Sequence, residues 1–492
     1  MPSGGGSAGQ TPKRMDDLMK DECCTPEGDY DLVVIGAGSA GFSAAITAAE
    51  GGKRVALIGH GTIGGTCVNV GCVPSKTMIR AAEAVYGAWA ACRFPGLNGE
   101  AQVADWAALV AAKDDLVARL RQKKYADLLP GYDSVTYIDE GPARLVPGGV
   151  EIDGRMITAS KVIVATGGRP AVPDIPGLAS VPTLDSTSLL ELERLPESLI
   201  FLGGGYIGVE LAQMMARMGV GVTIVCRSRL LSQAEPEVSK TLTEILRAEG
   251  LTILDGAVYH TAQCDGDRAV LTVTVDGTTR DLAADHLVLT TGRVSNTEGL
   301  GLADIGVEAD ARGAIRVGDD MQTTKPGVFA AGDVTERDQF VYMAAYGAKL
   351  AARNAVLGGS ERYDNAEMPW VVFTDPQIAG VGLTEAQAHL AGHEVKTSVL
   401  SLDNVPRALA ARDTRGLIKL VADAQTDRLL GGVIMAPEGA DSVQTLVLAL
   451  KFGMTTKALG ETVFPYLTTV EGLKLAAQTF DMDVAKLSCC AG

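Results

Sequence analysis

Gly64-Gly65-Thr66-Cys67-Val68-Asn69-Val70-Gly71-Cys72-Val73-Pro74-Ser75-Lys76 sets two cysteines, with four residues between them, inside a glycine-framed turn. The apolar run Val55-Ala56-Leu57-Ile58 comes before it and reads as a buried strand. Thr77-Met78-Ile79-Arg80-Ala81-Ala82 comes after it and reads as helix. Cys67 and Cys72 can therefore meet at the start of a helix, where unpaired N–H groups and the dipole lower a thiol pKa. A thiolate in that position can attack, be oxidised or hold a soft metal ion. The bland alternative is two small buried residues in a turn.

Outward from this stretch, the composition limits the choices. A chain of 492 residues predicts about three domains. Hydrophobic residues make up 47%, enough for large cores, and 58 glycines suit tight turns with backbone close to ligands. A net charge of −17 argues against nucleic acid or anionic lipid as the main partner. Residues 1–29 are rich in Gly, Ser, Pro and charge, lack an apolar leader, and read as a flexible tail. The apolar stretch Leu199 to Cys226 is interrupted by Glu210, Gln213 and Arg217 and split by glycines, so no membrane insertion is expected. Nine cysteines, an odd number, point to the reducing cytoplasm. Six of them form three close pairs: Cys23-Cys24, Cys67/Cys72 and Cys489-Cys490.

Tyr30-Asp31-Leu32-Val33-Val34-Ile35 reads as a strand feeding Gly36-x-Gly38-x-x-Gly41 and an Ala-rich helix. Glycines in that pattern let a pyrophosphate approach a helix N-terminus. The unit recurs as Leu199-Ile200-Phe201-Leu202 followed by Gly203-Gly-Gly205-Tyr-Ile-Gly208. Two such units imply two dinucleotide sites. The end of each unit's second strand, where an acid binds an unphosphorylated adenosine ribose, falls at Gly59 and at Cys226. After Cys226 come Arg227 and Arg229, two cations that fit a 2′-phosphate and favour NADPH over NADH, or that are simply solvated.

With Pro74-Ser75-Lys76 included, the cysteine stretch resembles the redox-active disulfide of the flavin-dependent pyridine nucleotide–disulfide oxidoreductases. Ala165-Thr-Gly167-Gly-Arg169-Pro170 at the end of a strand begun at Lys161, Thr290-Thr-Gly-Arg293, Phe329-Ala-Ala-Gly332-Asp333-Val334 and Phe373 to Glu385 resemble further segments of the same family. The resemblance implies an α/β fold: two Rossmann-like dinucleotide-binding domains, for FAD and NADPH, plus a C-terminal α+β dimerisation domain. The FAD domain would comprise residues 30–180 and 297–365, with the NADPH domain at 181–296 between them and the dimerisation domain at 366–492. FAD would be held by Gly36, Gly38, Gly41, Thr66, Lys76, Gly167 and Asp333, and NADPH by Gly203, Gly205, Gly208, Arg227 and Arg229. Cys72 would be the thiolate nearer the flavin, Cys67 the outer exchange thiol, and Lys76 would pair with Glu210 near the flavin. Gly59 departs from the family's usual Glu. That predicts weaker FAD binding, or replacement of the contact by backbone and water.

Relatives that reduce organic disulfides carry a His-Pro-Thr-x-x-Glu segment supplying a proton shuttle. The matching stretch here is Phe464-Pro-Tyr466-Leu-Thr-Thr-Val-Glu471, with Tyr466 where the histidine would stand, and no histidine follows His393. A phenol is a poor proton shuttle at neutral pH. Cys489-Cys490 ends the chain but for Ala491-Gly492; two adjacent sulfurs suit a soft cation better than a relaxed disulfide. Together these features resemble the members of the family that act on mercuric ion. They imply reduction of Hg(II) to Hg(0) in a homodimer, with Hg(II) passed from Cys489 and Cys490 of one subunit to Cys67 and Cys72 of the other. Tyr466 and Tyr125 would help place the ion, although Tyr125 reads equally as an ordinary packing aromatic. Cys23-Cys24 reads either as a capture site for the ion or as an idle tail. A reductase of organic disulfides and a non-catalytic metal-sequestering protein are the competing readings.

Overall fold

Tyr30–Ile35 lies at the centre of a five-stranded parallel sheet ordered Val328–Ala330, Ala159–Val164, Tyr30–Ile35, Val55–Ile58, Val135–Ile138. A computed structural model describes residues 29–335 and 337–486; Cys23, Cys24, Cys489 and Cys490 lie outside them. The central strand is apolar at successive positions because both of its faces are covered. Leu32 and Val34 pack under helices Ser39–Glu50 and Val341–Val356. Val33 and Ile35 pack on the opposite face against a three-stranded antiparallel sheet, Ala143–Val146, Gly149–Ile152 and Arg155–Ile157.

The layering repeats in the second unit. Thr252–Leu254, Gly221–Val225, Ser198–Leu202, His286–Leu289 and Thr183–Leu184 form a second parallel sheet in that order. Helices Tyr206–Arg217 and Pro236–Ala248 cover Leu199 and Phe201. The hairpin sheet Val258–Asp265, Arg268–Val275, Thr278–Ala284 covers Ile200 and Leu202. In both units the strand before the glycine loop has the second strand on one side and a later crossover strand on the other. That reversal opens a crevice at the strands' carboxyl ends. The segment Ala165 to Pro170 leaves the sheet after Val164, and Gly168–Pro170 pairs instead with Arg293–Ser295 as a two-stranded ribbon joining the two units. Gly167, at φ +69°, turns the chain out of the sheet.

The third unit is an antiparallel sheet ordered Trp370–Val372, Gln377–Gly382, Leu429–Ala436, Leu417–Asp423, Val395–Ser401. It packs against helices Gly439–Lys451 and Glu471–Gln478. Its Val372, Ile378, Val433 and Met435 join a core with Met78 and Ile79 of the first unit and Met214 and Met215 of the second. Polar contacts fix the same junction. Buried Arg217 pairs with Glu249 at 2.7 Å and with Asp375 at 2.9 Å, and its guanidinium lies 3.7 Å from the centre of the Tyr86 ring. Arg415 bonds Glu249, Asp375 and Asp413 as well. Removing one member strands the others as buried charges, so the network holds the three units in one orientation. Among the described residues no helix is long and apolar enough to cross a membrane; Leu199 to Cys226 folds as strand, turn, helix and strand.

Candidate active site

Both glycine loops open onto one cavity of about 1900 Å³. It exceeds a single small-ligand pocket, roughly 300–1,000 Å³, and suits two dinucleotides meeting end to end. The loops are cut to that purpose. A Cβ on Gly36 would lie 2.2 Å from the Ala165 carbonyl oxygen, and one on Gly41 1.7 Å from the Gly36 carbonyl oxygen. Gly203 and Gly208 repeat the arrangement, at 2.4 Å from the Thr290 carbonyl oxygen and 2.3 Å from the Gly203 carbonyl oxygen. Only glycine lets strand, loop and helix close this tightly, which leaves the helix N-termini at Ser39 and Tyr206 free to receive a pyrophosphate. The residues fit FAD in the first loop and NADPH in the second. Gly38, Thr66, Gly167 and Asp333 line the same cavity on the first side, and Gly205 on the second. Burial raises the Asp333 carboxyl pKa, against the opposing pull of Arg293, whose Nε stands 3.5 Å away.

The cysteines stand where the two halves of the cavity meet. Cys67 belongs to the short helix Gly65–Asn69, and Cys72 is the first residue of helix Cys72–Ala90. Both are free thiols, and the Cys67 thiol hydrogen-bonds to the Cys72 sulfur. That bond, aided by the charge of Lys76 and opposed by burial, brings Cys72 down to about 7. The same bond, together with burial, pushes Cys67 up. Above pH 7 the pair thus holds one proton on Cys67 and one negative charge on Cys72, and it titrates as a unit. Alkylation of reduced Cys72 by iodoacetamide, followed by peptide mapping, is expected to accelerate about tenfold per pH unit below pH 7 and to level off above it. An unperturbed thiol would keep accelerating to about 8.5.

Lys76 Nζ donates to Glu210 Oε2 at 2.6 Å, across the boundary between the first and second units. Glu210 is 5% exposed, and its other oxygen accepts the Phe373 N–H at 2.8 Å. Lys76 also lies 4.9 Å from the centre of the Phe373 ring. The cation is therefore locked beside the cysteines by all three units. Tyr125 caps helix Trp106–Lys124 and shares a 2.9 Å hydrogen bond with Ser39 at the first glycine loop. Burial raises the Tyr125 pKa, and the cysteine charges raise it further. It therefore stays a protonated phenol within electrostatic reach of the sulfurs.

At the end of the second strand of the second unit, Cys226 is buried and its thiol, pushed up to about 11 by burial, donates to the Ser228 carbonyl at 2.8 Å. It remains neutral, so the expected acid has no charged substitute. Arg227 and Arg229 both line the cavity. They differ in their commitments: Arg229 Nη2 donates to the Ser232 and Ala234 carbonyls, at 3.1 and 2.8 Å. Arg227→Ala is expected to raise KM for NADPH by about tenfold and to leave KM for NADH unchanged. Arg229→Ala is expected to raise KM for NADPH less and to disturb both cofactors. Steady-state kinetics with each cofactor checks this.

Tyr466 is 57% exposed, in the loop between helices Thr456–Glu461 and Glu471–Gln478, and does not line the cavity of its own protomer. Cys489 and Cys490 lie outside the described residues. Among the described residues no group of three or more His, Cys, Asp or Glu side chains is placed to hold a metal. The cysteine pair offers two sulfurs, donors that suit a soft cation rather than a hard one. The sequence reading passed over Tyr206, Tyr342 and Phe373, all in the cavity lining. Tyr206 stacks on Trp370 at 5.7 Å between ring centres, and burial pushes its pKa up to about 12. Its position inside Gly203-Gly-Gly205-Tyr-Ile-Gly208 was the available signal: an aromatic at the mouth of a nucleotide loop.

Residues 30–352 match the family described as pyridine nucleotide-disulphide oxidoreductase, and residues 368–477 match its dimerisation domain. The chain is 46% identical to a mercuric reductase of Bacillus cereus over 98% of its own length and 76% of that protein's. It is 46% identical to a mercuric reductase of Streptomyces lividans over 94% of its length and 98% of that protein's. Among solved structures it resembles the HOCl-induced flavoprotein disulfide reductase RclA from Escherichia coli. The TM-score is 0.81 at 30% identity, covering 91% of this chain and 99% of that one.

Proposed function

This chain belongs to the pyridine nucleotide-disulphide oxidoreductase family, and from that premise we propose that it is a mercury(II) reductase, taking electrons from NADPH through FAD to convert Hg(II) to volatile Hg(0). The observation that carries this is a free cysteine pair lining the one cavity onto which both glycine loops open. FAD, when bound, relays an electron pair from NADPH to the space beside Cys72. What the chain's own residues do follows from their chemistry.

Cys67 and Cys72 receive Hg(II) by thiolate exchange. An incoming sulfur forms one Hg–S bond while an outgoing thiolate leaves with its electron pair, so no free ion appears. The Cys67 proton must depart as the second Hg–S bond forms. Cys72 needs no such loss above pH 7. Two electrons then turn the bound ion into the neutral atom, and both sulfurs are released as thiolates. Lys76, held by Glu210, places a positive charge where electron density builds up. Tyr125, kept protonated, offers a hydroxyl to a sulfur or to the ion.

The dimerisation domain makes the assembly a homodimer. Shared active sites are the finer reading: Tyr466, which does not line its own protomer's cavity, serves the partner's, and Cys489 and Cys490 deliver the ion there. NADPH dependence and a thiolate-based site support a cytoplasmic location. The domain limits 30–180, 181–296, 297–365 and 366–492 suit the three units.

The deciding experiment follows NADPH oxidation by purified holoenzyme with Hg(II) in excess thiol, with mercury vapour trapped. One atom of mercury released per NADPH consumed is expected. NADPH oxidised with glutathione disulfide or lipoamide, and none with Hg(II), would falsify the reading.

A further inference from the structure

Gly59 follows the second strand of the first unit, where an acidic side chain ordinarily binds an adenosine ribose. Its side-chain space is filled from the neighbouring strand. A Cβ built on Gly59 would lie 2.2 Å from Tyr137 Oη and 2.8 Å from Tyr137 Cε2 and Cζ. Tyr137 sits on Val135–Ile138, paired in register with Leu57, and the Gly59 N–H donates to the Ile138 carbonyl at 2.8 Å. Backbone pairing therefore fixes the two backbones at this distance, and the phenol makes room for a side chain at 59 only by leaving its present rotamer. Tyr137, Gly59, Gly36 and Gly38 all line the cavity. The Tyr137 hydroxyl has no hydrogen-bond partner among the described residues, although neighbouring side chains pack the ring body into the core. An acid at 59 would collide with Tyr137 in its present rotamer.

We propose that Tyr137 replaces the missing acid: its hydroxyl binds the unphosphorylated adenosine ribose of FAD, and Gly59 is the accommodation that lets it reach. The inference rests on the reading that the first glycine loop holds FAD. Burial, with the nearby Asp139 charge, raises the phenol's pKa, so it keeps its proton and both donates and accepts. One neutral group thus does what a carboxylate does elsewhere, without adding to a net charge of −17 beside an anionic ligand.

The test removes flavin from the full-length protein and titrates FAD back, reading the quenching of flavin fluorescence. Tyr137→Phe, which deletes only the hydroxyl, is expected to weaken FAD binding by roughly tenfold. With an FAD analogue carrying 2′-deoxyadenosine, the same substitution is expected to have little effect, because its partner is gone. Gly59→Glu alone is expected to weaken FAD binding by collision with Tyr137. Gly59→Glu combined with Tyr137→Ala is expected to recover it. If Tyr137→Phe binds FAD as tightly as wild type, or loses equally on both ligands, the ribose contact is overturned while the flavin reading stands. If wild type itself takes up no FAD, both are overturned.

Discussion

Replacing Cys72 with serine is expected to lower Hg(II) turnover by at least ~10³-fold, while NADPH still reduces the bound flavin at close to the wild-type rate. Serine keeps the size and the helix position but substitutes a hard oxygen that stays protonated at neutral pH for a soft thiolate at about 7. Cys67→Ser is expected to cost as much, for a different reason. The substituted hydroxyl can still donate to the Cys72 thiolate, but the ion loses its second sulfur. Because the two sulfurs act as a unit, the double variant is expected to be no worse than either single one. Stopped-flow absorbance of the flavin separates the half-reactions. Slow flavin reduction by NADPH in these variants would show that the cysteines hold the site together rather than handle the ion. Near-normal mercury release would remove them from the chemistry.

The cysteine pair, the two glycine loops and Lys76 were legible because each is a local pattern imposed by local chemistry. A pyrophosphate loop needs glycines at fixed offsets, and a dithiol at a helix start needs a short framed turn. The pairing of Lys76 with Glu210, 134 residues apart, came from resemblance, and the hydrogen bond stands at 2.6 Å. What spacing does not carry is which side chains from distant strands fill a gap. Gly59 read as a loss because its replacement, Tyr137, arrives from a strand 78 residues further on. Arg227 and Arg229 read as equivalent because both are cationic; only the loop carbonyls of Ser232 and Ala234 distinguish them. The antiparallel sheets at 143–157 and 258–284 carry no motif. They are short alternating hairpins whose role is to cover the second face of each parallel sheet. The charged junction around Arg217, Glu249, Asp375 and Arg415 was invisible for the same reason, since its members come from separate units and satisfy one another only once those units are packed.

Changing Cys489 and Cys490 together to alanine is expected to reduce turnover on the order of 10²-fold when Hg(II) is presented in excess thiol, and far less when it is presented with weak ligands such as chloride. The difference follows from competition. In excess thiol every Hg(II) already carries two sulfurs, and a single half-buried thiolate such as Cys72 must displace one of them against millimolar competitors. Two adjacent thiols tethered to the protein act as one chelating ligand, then deliver the ion at an effective concentration of about millimolar or more. With chloride no sulfur need be displaced, and Cys67 and Cys72 can take the ion directly. Flavin reduction by NADPH is expected to be untouched, because the substitutions leave both glycine loops as they are. Mixing subunits tests the geometry. A heterodimer pairing a Cys489→Ala/Cys490→Ala subunit with a Cys67→Ser/Cys72→Ser subunit retains one complete route only if the ion crosses between chains. About half of wild-type turnover per dimer is then expected, against almost none if each tail serves its own cavity. Undiminished turnover of thiol-bound Hg(II) in the homodimeric tail variant would leave the terminal cysteines without a part in the reaction.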